Sequence, residues 1–297
     1  MRQKAKINMG KLNRLDLLFD ALKPARKTRI LDVGASPIHT PPYHFLLQHG
    51  ACEVYGFEPD ERSYGILNDR DNPSETYFPF AAGDGNTHEL RICKERGFTS
   101  LLEPKTKFQD YVNHFRHGMA VIDRIPMKTV RIDDIDELPL CDLFKIDIQG
   151  GETMVFKHAN KQLDHMSAVI TEAAFIELYE DQPLFDEQMR SLRVHDLHLF
   201  HFQTVQRISL RGPRQSVITS KPFMRNQITD GDAVFVRQVD YDSSLPSEQL
   251  KHLAIVADQV FSGHSLSIRA MEVLEQRGKI KSSAFDQYCT LLANEGA

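Results

Sequence analysis

The sequence predicts an α/β fold in which a mainly parallel β-sheet is covered by helices on both faces. Short apolar segments alternate along the chain with amphipathic segments of helical length. Two of the apolar segments, within 29–36 and 144–152, end abruptly in acidic residues and glycines. Parallel strands require helical crossovers, and ligands bind where such strands end. The two segments therefore predict a cofactor half and a reaction half of one cleft.

The bulk composition is that of a soluble globular protein. The chain has 297 residues, 41% of them hydrophobic, and a net charge of −5, which argues against a general nucleic-acid or anionic-membrane binder. No apolar run approaches the roughly 20 residues of a membrane span, and no segment has the pattern of a secretory signal. The four cysteines lack metal-ligand spacing. We expect a cytoplasmic protein, and a homo-oligomer is compatible with the sequence.

The first predicted element is a covering helix over residues 9–23. Leu12, Leu15 and Leu22 recur there at helical spacing until Pro24 ends the pattern. Apolar strand segments and helical segments then alternate. In order they are a strand at 30–33, a helix at 43–49, a strand at 53–57, a helix at 61–67 and a strand at 76–82, with 88–93 as an edge extension of the sheet.

The alternation continues to residue 237 and is followed by a change in composition. The predicted elements are a helix at 108–116, an extended segment at 128–132, a buried strand at 143–148, an amphipathic helix at 152–163, a strand at 168–171, a helix at 184–192, and strands at 197–202 and 233–237. After residue 241, Leu250, Leu253 and Val256 lie at helical spacing. We expect a domain over 1–240 and a helical appendage over 241–297 that packs against it rather than binding a partner.

Acidic and small residues follow the first three predicted strands. Asp32, Gly34, Ala35 and Ser36 follow the first, where a backbone can approach a ligand closely. Glu58 and Pro59 follow the second strand, about 20 to 25 residues further on, where an acid can bind both hydroxyls of a ribose or can cap the next helix. Asp84 and Gly85 follow the third, as a hairpin turn or as neighbours of a nucleoside base.

The fourth strand ends in the residues that best fit proton transfer. Strand alternation puts Lys145, Asp147 and Gln149 on one face, and Glu152 follows the paired glycines. A lysine and a carboxylate side by side suit proton transfer or charge stabilisation, with a structural ion pair as the alternative. Glu172 ends the fifth strand at the same edge.

With these segments in place, the chain resembles the FkbM family of S-adenosylmethionine-dependent methyltransferases. The resemblance covers roughly residues 28–238 and departs from the family's usual Asn-x-Gly at Ser36-Pro37-Ile38. The most specific motif is Asp142-Leu143-Phe144-Lys145-Ile146-Asp147-Ile148-Gln149-Gly150-Gly151-Glu152. It is supported by Ile30-Leu31-Asp32-Val33-Gly34-Ala35, Gly56-Phe57-Glu58-Pro59, Ala82-Gly83-Asp84-Gly85 and Thr171-Glu172.

The resemblance implies a class I methyltransferase fold, which is Rossmann-like, with a mostly parallel seven-stranded sheet and one reversed late strand. It implies S-adenosyl-L-methionine as the cofactor. The cofactor-binding residues it implies are Asp32, Gly34, Ala35 and Ser36 at the methionine part, Glu58 and Pro59 at the ribose, Asp84 and Gly85 at the adenine, and Asp147 at the reaction side. The implied activity is O-methylation of a sugar, glycan or natural-product hydroxyl, with a small-molecule or glycan acceptor.

For the chemistry, Asp147 is the first choice of general base and Lys145 the residue that orients or stabilises it. Glu152 and Glu172 are second choices, and Asp147 with Glu172 could hold Mg²⁺, although no third ligand is evident. The acceptor pocket is expected to come from residues 94–124 and 207–230. The alternative is a non-catalytic cofactor-binding module whose helical tail binds a partner. A nicotinamide oxidoreductase is disfavoured because GxGxxG is absent.

Overall fold

The computed structural model describes residues 2–112, 115–210, 222–240 and 242–295. In chain order its elements are α1 (Arg2–Leu22), β1 (Thr28–Val33), α2 (His44–Gln48), β2 (Cys52–Phe57), α3 (Glu61–Asn68), β3 (Glu75–Phe78), β4 (Ala81–Ala82), β5 (Thr87–Cys93), α4 (Thr106–Val112) and β6 (Val121–Val130). They continue with β7 (Leu143–Ile146), α5 (Glu152–Phe156), α6 (Asn160–His165), β8 (Ala168–Ala174), α7 (Phe185–Arg193), β9 (Leu197–Phe202), β10 (Arg207–Ile208), β11 (Gln227–Ile228), β12 (Asp230–Arg237), α8 (Ser247–Gln259), α9 (His264–Gln276) and α10 (Ser282–Glu295). Short 3₁₀ turns lie at Arg96–Phe98, Ile132–Asp134 and Pro222–Met224.

Seven strands form the central sheet in the order β3-β2-β1-β7-β8-β12-β9. The pairs β1–β2, β2–β3, β1–β7 and β7–β8 are parallel, whereas β12 is antiparallel to both β8 and β9. The predicted mostly parallel sheet with one reversed late strand is confirmed. Because the order reverses direction beside β1, the carboxyl ends of β1, β2 and β7 border one crevice.

Two predicted elements near β3 were wrong. The strand expected at 76–82 divides into β3, which pairs with β2, and β4, which pairs with β6. The expected edge extension at 88–93 is β5, which pairs antiparallel with β6 in a separate three-stranded sheet. The sequence patterns missed this sheet because charged residues such as Asp123 and Arg124 interrupt the apolar pattern of β6.

The helix predicted at 152–163 is also two helices, α5 and α6. The chain turns between them, and α6 begins where the side chain of Asp133 accepts hydrogen bonds from the Lys161 N–H (3.1 and 3.2 Å). Since this carboxylate comes from a distant turn, the local pattern could not reveal the break. The predicted helix at 108–116 corresponds to α4, and its residues 113 and 114 lie outside the described residues.

The two faces of the sheet carry separate apolar cores. On one face Ile30, Val54, Leu143 and Val234 pack with residues of α1, α2 and α8–α10. On the other, Phe57, Phe144, Val169 and Phe235 pack with residues of α5–α7. The apolar side of the tail, including Leu250, Leu253 and Val256, is therefore buried against the sheet. A domain boundary at residue 240 stays a prediction.

None of the helices within the described ranges is long and apolar enough to cross a membrane.

Candidate active site

A cleft of about 910 Å³ opens at the carboxyl ends of β1, β2 and β7. Its walls come from the turns after these strands, from α3 and from one side of the antiparallel β5–β6 pair. The predicted cofactor residues that line it are Gly34, Ser36, Glu58, Pro59 and Asp147. The carboxylates of Glu58 and Asp147 thus belong to one cleft, as the cofactor-half and reaction-half prediction requires.

Gly34 brings the end of β1 against the end of β7. Its φ is +81°, and a Cβ at this position would lie 2.1 Å from the Asp147 carbonyl oxygen. The N–H groups of Gly34 and Ala35 both donate to the Phe57 carbonyl (3.1 Å each). Only glycine combines this backbone conformation with so close an approach.

Asp32 and Lys145 form an ion pair beneath this turn, whereas the ion pair left open by the sequence joined Lys145 to Asp147. The two residues are register neighbours on β1 and β7, and Lys145 Nζ lies 3.2 Å from Asp32 Oδ1. Lys145 also donates to the Gly34 carbonyl (3.2 Å), and the hydroxyl of Tyr43 donates to Asp32. Burial opposes the charge of Lys145, but the carboxylates of Asp32 and Asp147 outweigh it and raise its pKa.

Lys145 pairs with Asp32, while the charge of Asp147 also helps to raise its pKa, so the role of orienting or stabilising Asp147 stays a prediction. The ammonium group of Lys145 lies under the Gly34 turn and neutralises the buried carboxylate of Asp32. Asp32 and Ala35 are likewise buried and are not among the residues that line the cleft. They support the turn that carries Gly34 and Ser36.

Glu58 lies at the end of β2 with only 6% of its surface exposed. Its Oε1 accepts a hydrogen bond from the Asp60 N–H (2.9 Å), which fixes the side chain at the start of α3. Burial raises the pKa of Glu58 to about 6, against the lowering effect of that hydrogen bond. The remaining carboxylate oxygen can accept from a ligand hydroxyl in the cleft.

Asp84 and Gly85 do not line the cleft. The carboxylate of Asp84 accepts hydrogen bonds from the Asn86 N–H (2.9 Å) and from Thr129 Oγ1 (3.2 Å), and it pairs with His88 Nε2 (2.8 Å). These contacts organise a tight turn between β4 and β5, but both strands pair with β6 and not with each other, so the hairpin interpretation was wrong. A role beside the adenine stays an untested prediction for both residues.

Gln149 joins Asp147 to Glu172. Its Nε2 donates to Asp147 Oδ1 (2.9 Å) and to Glu172 Oε2 (3.0 Å). Its Oε1 accepts from the Tyr179 hydroxyl (3.0 Å). Asp147 and Gln149 line the cleft, whereas Glu172 lies behind them. Burial, together with the charge of Asp147, raises the pKa of Glu172 well above its usual range.

Glu152 is turned into the protein, away from the cleft. It is 2% exposed, and its carboxylate accepts from the N–H groups of Ile148 (3.0 Å) and Gly150 (3.1 Å). Burial raises its pKa to about 7 even though these hydrogen bonds lower it. Its placement fits a residue that shapes the 148–151 turn rather than one that contacts substrate.

Sequence reasoning missed the apolar wall of the cleft. Leu90 and Ile92 on β5 and Ile125 and Met127 on β6 face the cleft, and register pairs Leu90 with Ile125. The charged residues between these apolar ones point to the other side, away from the cleft. They form ion pairs there, such as that of Arg124 with Glu103 (2.7 Å). The period-two alternation in 89–92 and 124–128 was the signal that could have revealed these two paired strands.

The two segments expected to shape the acceptor pocket differ in their contribution. From 94–124, the residues Arg96, Gly97, Thr99, Ser100 and Leu101 line the cleft. From 207–230, none of the described residues 207–210 and 222–230 does so, and 211–221 lie outside the described residues. No group of three or more His, Cys, Asp or Glu side chains is placed to hold a metal ion within 2–112, 115–210, 222–240 and 242–295.

The comparisons with known proteins give one family. A sequence profile described as the methyltransferase FkbM domain matches residues 32–198, which is more than half of the chain. No curated protein matches.

Among solved structures, similarity is found to methyltransferase FkbM from Methylobacillus flagellatus KT, at 16% identity over 70% of this chain and 43% of that one, with a TM-score of 0.40. Magnesium protoporphyrin IX methyltransferase from Synechocystis PCC 6803, with bound SAM, is 13% identical over 80% of this chain and 84% of that one (TM-score 0.33). An O-methyltransferase from a trans-AT PKS multienzyme of Brevibacillus brevis, in complex with S-adenosyl-L-homocysteine, is 10% identical over 94% and 86% (TM-score 0.36). This chain thus spans less than half of the first protein, and the assignment depends on the family profile.

Proposed function

Because the chain belongs to the FkbM methyltransferase family, we propose that it transfers the methyl group of S-adenosylmethionine to a hydroxyl of a sugar, glycan or natural product. The observation that carries this proposal is the shared cleft of Glu58 and Asp147, one at the end of β2 and the other beyond β7. The proposed ribose-binding carboxylate of Glu58 and the proposed proton acceptor Asp147 therefore lie on either side of the Gly34 turn.

The cleft residues fit the cofactor. Gly34 lines the cleft, and because it has no Cβ to collide with Asp147, the turn holds the ends of β1 and β7 close together at the proposed cofactor position. The free carboxylate oxygen of Glu58 can accept hydrogen bonds from ribose hydroxyls. Phe80 and Ile66, which are 41% and 48% exposed, offer apolar contact to a flat base. When bound, S-adenosylmethionine supplies an electrophilic methyl group.

Asp147 is the proposed proton acceptor for the hydroxyl of the acceptor molecule. Its Oδ1 is held by Gln149, and among the described residues no hydrogen bond to Oδ2 is present. A positioned base of this kind contributes about 10²–10⁴-fold to the rate. The amide of Gln149 stands between Asp147 and Glu172, so it fills the position that the sequence left open for Mg²⁺.

We expect Asp147→Asn to leave S-adenosylmethionine affinity within about threefold of wild type while kcat falls by about 10²–10⁴-fold. The amide keeps the shape of the side chain but cannot take the proton. Calorimetry with S-adenosylmethionine and S-adenosylhomocysteine measures binding. Tritiated-methyl transfer into fractionated cell extract measures turnover and identifies the acceptor.

Glu58→Gln is the matched variant at the other end of the cleft. It should weaken cofactor binding because the amide oxygen is needed by the Asp60 N–H, which leaves an NH₂ group that cannot accept from the ribose hydroxyls. Wild-type turnover in Asp147→Asn would remove Asp147 from the chemistry. If the wild-type protein binds neither S-adenosylmethionine nor S-adenosylhomocysteine, the proposed function is wrong.

A further inference from the structure

We infer that Gln149 is a positioning residue for proton transfer: its side-chain amide orients Asp147 and separates it from Glu172. The inference rests on the proposed function, since it concerns the proton acceptor of the same cleft. It is carried by the contacts of Gln149, which hold both ends of its side chain and its backbone.

The backbone of Gln149 adopts a conformation that is unfavourable for a residue with a Cβ. Its φ is +59°, in the left-handed region. The carbonyl oxygen is held by Ser100 Oγ (2.6 Å), which also accepts from the Leu102 N–H (3.0 Å). Such strained conformations cluster at functional sites because the surrounding structure must maintain them. Here the conformation directs the side chain between two carboxylates.

The two ends of the side-chain amide are fixed by their partners. The NH₂ end faces Asp147 and Glu172, which present acceptor oxygens, and the oxygen end faces the Tyr179 hydroxyl. Tyr179 is fully buried, and its hydroxyl lies 3.1 Å from the Phe98 carbonyl. Gln149 therefore cannot rotate without losing several hydrogen bonds, and Asp147 keeps one oxygen engaged and one free.

Charged groups surround both carboxylates that Gln149 joins. Asp147 is faced by Lys145, which is itself paired with Asp32, and the buried Glu152 lies behind the turn. Glu172 is faced by Asp230 and Asp232 on β12 and by Tyr179. Glu172 is thus surrounded by negative charge, which together with burial raises its pKa. A neutral donor at position 149 maintains this arrangement.

Two substitutions separate orientation from charge. Gln149→Ala removes the orienting amide, and kcat is expected to fall about 10- to 100-fold while the Kd for S-adenosylmethionine stays within about threefold. Gln149→Glu puts a third carboxylate beside the pair. We expect it to move the acidic limb of the pH–kcat profile to higher pH by about one pH unit.

Gln162→Ala is the matched control, since Gln162 also bridges two groups with both ends of its side-chain amide. Its Oε1 accepts from the Cys141 N–H (3.0 Å) and its Nε2 donates to the Pro139 carbonyl (2.9 Å), away from the cleft. Its replacement should lower the melting temperature without moving the pH profile. A ¹³C-carboxyl NMR titration of the Asp147–Glu172 pair gives a second measurement that needs no acceptor. There Gln149→Glu should shift the titration of the pair to higher pH.

The inference is overturned if Gln149→Glu keeps both the wild-type pH profile and the wild-type carboxyl titration, or if Gln149→Ala changes only the melting temperature, as the control does. A wild-type protein that transfers no methyl group would contradict the proposed function instead. In that case the carboxyl titration alone decides the positioning role of Gln149.

Discussion

At the end of β1, Gly34 turns the chain with a φ of +81° while its N–H donates to the Phe57 carbonyl. The closest atom to a Cβ built there is the Asp147 carbonyl oxygen, at 2.1 Å. The turn thus sets the spacing between the two strand ends that carry the proposed cofactor and proton sites. Any side chain at 34 must push those ends apart.

We expect Gly34→Ala to lower the free energy of unfolding by about 2–4 kcal/mol and to weaken S-adenosylmethionine binding at least tenfold. The loss combines left-handed backbone strain with a steric clash. Urea denaturation measures the first effect and calorimetry the second.

Gly50→Ala is the control, because Gly50 has a φ of +64° but no atom within 4 Å of the added Cβ. It carries the backbone strain without the clash, so about 1 kcal/mol is expected. If the two variants lose the same stability, the close approach at Gly34 is not what the turn requires.

For single residues, the sequence predicted which residue types follow the strands better than it predicted their side-chain contacts. A small residue after β1, an acid after β2 and an acid after β7 follow from the chemistry of strand ends. The partner of Lys145 did not follow, since Asp32 becomes its neighbour only when β1 pairs with β7. Gln149 lies in the turn after β7 and not on the strand face where alternation put it, and its bridging contacts depend on Tyr179 and Glu172 from other segments.

Among the elements, the turn from β7 into α5 is maintained by a buried carboxylate. Glu152 accepts from the N–H groups of Ile148 and Gly150, and burial raises its pKa to about 7 from an ordinary 4.5. A carboxyl group whose pKa is raised by folding stabilises the protein fully below its unfolded pKa. That contribution is lost as pH rises through the folded pKa.

The free energy of unfolding should therefore fall between pH 4.5 and about 7.5 by a contribution from Glu152 on the order of 3 kcal/mol. Glu152→Gln removes the titration and should flatten this part of the pH–stability curve. Urea denaturation of both proteins across the range makes the comparison. Parallel curves would show that Glu152 does not titrate in this window.

Elements with a strong local pattern were predictable, and those defined by distant partners were not. The strands of the central sheet follow from short apolar runs bounded by turn residues. The break between α5 and α6 depends on Asp133, and β5 needs β6 as its partner about 30 residues later. Such contacts are absent from any local window of the sequence.

For the whole molecule, Asp258 connects the first helix to the tail. Its Oδ1 accepts from Arg14 Nε on α1, pairs with His264 Nδ1 on α9 and accepts from the Tyr288 hydroxyl on α10, each at 2.8 Å. Burial disfavours the charge, but these partners outweigh it and lower the pKa of Asp258. Four helices thus meet at one buried carboxylate.

We expect Asp258→Ala to lower the free energy of unfolding by about 3–5 kcal/mol, because it removes a carboxylate that faces the buried guanidinium of Arg14. Thermal unfolding should remain a single transition, since α1 and the tail share one core with the sheet. Asp186→Ala, which breaks an exposed pair with Arg190, should cost less than about 0.5 kcal/mol. Separate melting of the tail in Asp258→Ala would contradict this picture.

The shared core of α1 and α8–α10 affects how the protein can fold while it is being synthesised. Helix α1 emerges from the ribosome long before the tail helices that lie beside it on the sheet. Until residues 247–295 follow, the apolar face formed by Ile30, Val54 and Leu143 lacks most of its cover. Native packing is therefore completed only after residues 247–295 have been made, and a nascent chain stalled before α8 leaves this apolar sheet surface exposed.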